Sequence, residues 1–235
     1  MSRAGLRDLL QAIPALLFPE RCGACEALCD GPFCAPCSET LLPVPAGCPL
    51  CGEPGDEALL PALRPRRCGR CRKDPPPYAR AQAPFLHGGA LSEAIHRLKY
   101  EGREELARPL GALFAGCDPP RADVVAPIPL HASRLRERGY DQAALLAREA
   151  GRRFGLPMRF LLVRVRPTRQ QVGLDRTRRD HNVRAAFRTL RGAAGVRVCL
   201  VDDVLTTGAT AAEAARALLL AGAIRVEVRT LARAA

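Results

Sequence analysis

The chain has 235 residues, 48% of them apolar and 26% charged, which is a globular composition with room for one good core, or one core plus a small module. Its formal net charge is +12, and Lys73 and Lys99 are its two lysines, so nearly all of the positive charge is arginine. That charge points to phosphate-rich partners, nucleic acid or phosphorylated metabolites, with an Arg-for-Lys, Ala-rich coding bias as the competing account. Trp is absent and aromatics make up 4%, which argues against an extended base-stacking platform. No apolar stretch approaches the ~20 residues of an integral membrane segment.

At the N-terminus, Leu6, Leu9, Leu10, Ile13 and Leu16 fall at helical spacing. Asp8 and Pro14 interrupt the run, and no small-residue cleavage site precedes Pro19-Glu20. It reads as a short amphipathic helix docked on the protein rather than a signal peptide. Contact with a membrane surface is the alternative.

Nine of the eleven cysteines lie between Cys22 and Cys71, and eight of those form four C-x-x-C pairs: Cys22/Cys25, Cys34/Cys37, Cys48/Cys51 and Cys68/Cys71. A two-residue gap lets both thiolates of a pair point at one tetrahedral ion, and two pairs complete a four-cysteine site. The rival is a disulfide framework, which the missing signal peptide and the cysteine-poor remainder disfavour. Two structural zinc ions are expected, closed by four thiolates each and supplying folding free energy to a segment too small for a core of its own. Sequential pairing gives the sets 22/25/34/37 and 48/51/68/71, and crossed pairing stays open. Cys29 reads as a spare or local packing residue, and Cys117 and Cys199 as small apolar core residues.

Pro75 to Pro77 favour a stiff connector, so an N-terminal helix and zinc-ribbon module is expected over 1–77 and a second domain over 78–235. Beyond the connector, "SEAIHRLKY", "EELARPLGALF", "DQAALLAREAGRRFG" and "GATAAEAARALLLAGA" read as helices, the last two stopped by Gly155 and Gly222. "ADVVAPIPL", "MRFLLVRVR", "VRVCLVDDV" and "IRVEVRTLA" read as strands. The alternation implies an α/β domain with a largely parallel sheet, whose ligands bind beyond the carboxyl ends of the strands.

One strand delivers Asp202 and Asp203 to that edge, and Thr206, Thr207, Gly208, Ala209 and Thr210 then open a helix. Free N–H groups, the helix dipole and three hydroxyls make an anion site there. A phosphate beside two carboxylates fits a sugar phosphate, because carboxylates accept hydrogen bonds from vicinal hydroxyls. An ordinary strand-to-helix turn with a threonine cap and an acidic Mg2+ site are the other readings.

"VCLVDDVLTTGAT" resembles the phosphoribosyl-pyrophosphate (PRPP) loop of type I phosphoribosyltransferases. Together with "PIPLHASRLRERGYDQA", "TRQQVGLDRTRRDHNVRAAF" and the cysteine module, the chain resembles the ComF family of competence-associated proteins over nearly its whole length. Asp141 stands where that family usually has Asn. The resemblance implies a type I phosphoribosyltransferase-like fold, Asp202 and Asp203 on the ribose hydroxyls, and Thr206 to Thr210 on the 5′-phosphate. It also implies His131, Arg134 and Arg138 facing pyrophosphate, and Mg2+ held mainly by the ligand's own oxygens. Guanidinium donors suit such a ligand.

From Arg164 to Arg191 lie nine arginines: 164, 166, 169, 176, 178, 179, 184, 188 and 191. A solvated face is one reading; a loop that clamps PRPP or a track for nucleic-acid phosphates are the others. Gln171, Arg179 and Asn182 match the family pattern there. His181 reads as a surface neighbour, His87 and His96 as incidental, and Lys99 as a helix-surface lysine that also falls on a family match.

The resemblance implies a cytoplasmic PRPP-binding protein of DNA uptake that handles incoming single-stranded DNA beside the uptake machinery. The alternative is an active phosphoribosyltransferase that joins PRPP to a base or amine and releases pyrophosphate. A third class is a zinc-ribbon adaptor with a vestigial nucleotide fold.

Overall fold

The computed structural model describes residues 21–55, 66–166 and 185–234. The expected N-terminal helix, Gln171, Arg179, His181, Asn182 and the arginines at 169, 176, 178 and 184 lie outside them.

The architecture is built on a five-stranded parallel sheet. Strands β1 (Arg80–Gln82) and β2 (Phe85–Leu86) both pair with β7 (Arg225–Arg233). Next to β7 lies β6 (Arg197–Leu205), and β3 (Val124–Pro127) forms the far edge. The apolar run "VRVCLV" alternates between two cores, as a strand's period of two dictates. Cys199 and Val201 face one cluster with Leu91, Ile95, Leu110, Leu146 and Leu231. Val198 and Leu200 face another with Leu161, Ala214, Leu218, Val226 and Val228.

Helices cover both faces. Helices α3 (Gly89–Tyr100), α4 (Ala107–Ala112) and α6 (Gln142–Phe154) supply the first cluster. Helix α7 (Ala209–Leu220) supplies the second. Asp141 accepts the first free N–H groups of α6 from Ala143 and Ala144 at 2.9 and 3.2 Å, and Gly155 ends it in the left-handed region at φ 67°. "EELARPLGALF" is broken, with α4 flanked by 3-10 turns at Glu104–Leu106 and Leu113–Gly116.

"MRFLLVRVR" adds little to the main sheet. Met158 makes a single bridge to Val125, and the chain then turns away so that β4 (Leu162–Arg164) pairs antiparallel with β5 (Phe187–Thr189). Leu161, Leu162 and Phe187 are buried in the second cluster, so this two-stranded sheet packs by its apolar face.

The cysteine segment lies directly on the α/β core. It carries two short helices, α1 (Ala35–Ser38) and α2 (Gly69–Lys73). Cys22, Ala24 and Phe33 belong to the first core cluster. Thr40 accepts a hydrogen bond from Ala90 N at 2.9 Å through its hydroxyl and so caps α3 from outside. Backbone bonds from Val44 N to Pro84 O and from Ala81 N to Leu50 O, at 3.0 and 2.7 Å, extend the contact. Cys117 and Cys199 are buried core residues, their thiols pushed up by burial to about 11 and about 12.

Candidate functional site

The parallel strands β3 and β6 end at one edge of the sheet, and helices α5 (Ala132–Arg138) and α7 start from the loops beyond them. A cavity of about 250 Å3 opens there. Asp202, Asp203, Thr206, Gly208, Thr210, Arg134 and Arg138 all line it. Thr207 and Ala209 instead line a cavity on the other side of the loop, which Gly208 shares. His131 lines neither. Its Nδ1 accepts from Ser133 N at 3.2 Å and caps α5.

The two aspartates differ. Asp203 is 4% exposed, and both its carboxylate oxygens have partners: Lys99 Nζ at 2.5 Å on Oδ1, and Gln142 Nε2 donating to Oδ2 at 2.9 Å. Gln142 in turn accepts from Arg138. Asp202 is more open to the cavity, and its Oδ1 accepts from Asp203 N at 2.9 Å. Burial, then the Asp203 charge, pushes the Asp202 carboxyl up to about 8, against the pull of Lys99.

Lys99 corrects its reading as a helix-surface residue. It is the penultimate residue of α3, next to the buried Leu98, and its partly buried side chain lines the cavity. Burial disfavours that charge, but Asp203 and then Asp202 outweigh it, so the ammonium is held above the ordinary lysine value. His87 also stands near this pair, its imidazole held low by burial and by the charge of Lys99. Arg164 reaches the cavity from the small sheet and stacks over Phe187 at 5.5 Å. Tyr100 lines the cavity with its ring 5.0 Å from the Arg138 guanidinium.

Four cationic side chains therefore surround two carboxylates. This arrangement can hold a polyanion and hydrogen-bond a neighbouring diol. Asp141 explains how an acid serves where the family usually has Asn. Oδ1 caps α6, and Oδ2 accepts from Leu130 N at 3.0 Å, so all of these backbone partners are donors.

The cysteines cluster by sequential pairing. The sulfurs of Cys22, Cys25, Cys34 and Cys37 lie within 4.8 Å of one another, as do those of Cys48, Cys51, Cys68 and Cys71. Cys25 and Cys34 sulfurs are 3.6 Å apart, and Cys51 and Cys68 sulfurs 3.7 Å. A zinc tetrahedron with Zn–S of about 2.3 Å has edges near ~3.8 Å, whereas a disulfide is ~2.05 Å long. The residues fit two structural zinc ions. Cys29 stays outside both sets and contacts Gly31 O at 3.4 Å.

The fold and site define a parallel α/β protein with a threonine-rich strand-to-helix loop at the sheet's carboxyl edge and a module of two four-cysteine clusters. The chain is 33% identical over 230 residues to DNA utilization protein YhgH of Salmonella typhi, covering 93% of this chain and 99% of the relative. It is 30% identical over 181 residues to competence protein ComFC of Bacillus subtilis, covering 74% and 72%. A solved glutamine PRPP amidotransferase from B. subtilis is 27% identical, with a TM-score of 0.37, over 52% of this chain and 25% of that one. No protein-family model matches the chain. The chain belongs to the ComF family of competence proteins.

Proposed function

We propose that the protein binds Mg2+·PRPP, or a closely related sugar phosphate, and serves DNA uptake by handling incoming single-stranded DNA in the cytoplasm. The observation that carries the ligand reading is the convergence on one cavity of Asp202 and Asp203, of Thr206, Gly208 and Thr210 from the loop, and of a basic wall of Lys99, Arg134, Arg138 and Arg164. Asp202 is the more open acceptor for the ribose hydroxyls, and Asp203 holds the Lys99 ammonium. The loop N–H groups and α7 receive the 5′-phosphate, and Arg134 and Arg138 face the pyrophosphate, whose oxygens carry Mg2+. The relatives, a DNA utilization protein and a competence protein by name, support the role in DNA uptake. The low aromatic content makes any DNA contact phosphate-led and steeply salt-dependent.

The test is calorimetric titration of Mg2+·PRPP into the zinc-loaded protein and into Asp202→Ala. Micromolar binding that is lost in a folded variant supports the reading, and no binding to the wild type sinks it. With binding in hand, pyrophosphate release on adding bases or amines separates a transferase from a binding protein.

A further inference from the structure

The phosphate loop is held from behind by two arginines. Arg70 stands in α2 between Cys68 and Cys71, and its Nη1 donates to Thr207 O at 2.6 Å. Arg233, the last residue of β7, is 2% exposed and donates to Leu205 O at 2.8 Å and to Thr206 O. Both guanidiniums share one carboxylate. Glu53, two residues beyond Cys51, lies 3.8 Å from Arg70 Nη2 and is ion-paired with Arg233. Three successive loop carbonyls are thus gripped by side chains fixed against the second cysteine cluster.

A trans peptide unit is planar, with its C=O and N–H pointing in opposite directions. Drawing the carbonyls of Leu205, Thr206 and Thr207 toward the arginines turns the N–H groups of Thr206, Thr207 and Gly208 the other way. Arg70 lines the cavity behind the loop, whereas Thr206, Gly208 and Thr210 line the one that holds Asp202 and Asp203. The turned N–H groups therefore face the ligand side. The turn requires glycine at 208: φ is +81°, and a Cβ there would lie 2.9 Å from the Tyr78 hydroxyl oxygen.

We infer that Arg70 and Arg233, braced by Glu53 on the second cysteine cluster, are positioning residues that pre-arrange the phosphate loop. They act through the loop's peptide units and touch no ligand. The inference rests on the sugar-phosphate reading and adds that the zinc-ribbon segment is part of the binding machinery. It also assigns a role to the "CGRC" arginine, which the cysteine spacing alone leaves out.

The experiment titrates the full-length, zinc-loaded protein with Mg2+·PRPP, ribose 5-phosphate and inorganic pyrophosphate, comparing wild type, Arg70→Met and Arg70→Lys. A lost charge-assisted hydrogen bond at a loop that must stay rigid is expected to weaken ribose 5-phosphate and PRPP about tenfold or more. Pyrophosphate, which engages the opposite wall, should bind Arg70→Met as it binds wild type. Arg70→Lys keeps one donor and should recover part of the loss. Zinc content and the melting curve report whether each variant is folded. Wild-type affinity for all three ligands in Arg70→Met overturns the inference, as does an equal loss for sugar phosphate and pyrophosphate. A wild-type protein that binds no sugar phosphate overturns the parent reading first, and this one with it.

Discussion

Lys99 and Asp203, 104 residues apart in sequence by their numbers, form an ion pair at the cavity floor with Nζ 2.5 Å from Oδ1. Helix α3 brings the lysine and strand β6 the aspartate. Both charges are largely out of water, so either one left alone is costly. Lys99→Met and Asp203→Asn should each destabilise the fold by about 3–5 kcal/mol. The Lys99→Met/Asp203→Asn double variant should lose clearly less than the sum, because no stranded charge is left. Urea unfolding of the four proteins reads this coupling, and strict additivity would show that the pair is not an energetic unit.

Asp202 predicts a stability profile of the opposite sense from an ordinary paired carboxylate. Burial and then Asp203 raise its carboxyl to about 8 in the folded chain, against ~3.9 for an unfolded aspartate. Between those values the native state holds a proton that the unfolded state has lost. The stabilisation is therefore full below pH ~4 and declines as pH rises to about 8. Asp202→Asn is neutral at every pH. Its melting temperature relative to wild type should climb on going from about pH 5 to about pH 8.5, in steps matched to that titration. A difference that stays constant across the range would contradict the raised value.

The four C-x-x-C pairs, the strand ending in Asp202 and Asp203 and the helix opened by the threonine loop were legible because each is a local pattern, whereas which cysteine pairs share a cluster depends on the folded segment and stayed open. The succession of β6, α7 and β7 was legible for the same reason, since alternating apolar residues and a terminal glycine mark each boundary. Lys99 was not, because nothing within α3 shows that its helix ends over another element's carboxylate. Gln142 was hidden too: it follows the α6 cap as a surface residue would, yet tertiary packing turns it onto Asp203. Strands β1 and β2 are too short to show a period, and they exist only because β7 offers its free edge.

Metal analysis should find two zinc ions per chain, and chelation should make eight further thiols reactive toward an aromatic disulfide reagent, one for each ligand in the two sets. The first cluster is not peripheral. Cys22 packs in the same core cluster as Leu91 and Leu98 of α3, the helix that carries Lys99. Structural zinc is worth about 10–16 kcal/mol in ribbon-sized peptides, so its withdrawal should lower the melting temperature of the α/β core as well. A core transition unchanged by full metal removal would show that the two parts are energetically separate.

Among the described residues, Arg229 is the largest of the fully buried side chains, at 0% exposure. Its Nη2 lies 3.0 Å from Glu227 Oε2, while Nε and Nη2 both donate to Asp118 O at 3.2 Å. The pair reduces the desolvation cost of placing a cation among Cys117, Cys199 and Leu231, and it ties the loop before β3 to β7. Arg229→Met leaves Glu227 with Arg225, which bonds its other oxygen at 2.9 Å from the surface. Glu227→Gln leaves Arg229 with carbonyl partners alone in the core. The stranded buried cation makes Glu227→Gln the more damaging change, by about 3–5 kcal/mol, with Arg229→Met nearer ~1–3 kcal/mol for the unbonded Asp118 carbonyl. Replacing both with apolar residues should land near the milder single variant. Chemical denaturation tests that ranking, and a reversed order would mean that Arg225 alone does not satisfy Glu227 and that Arg229 is the partner it depends on.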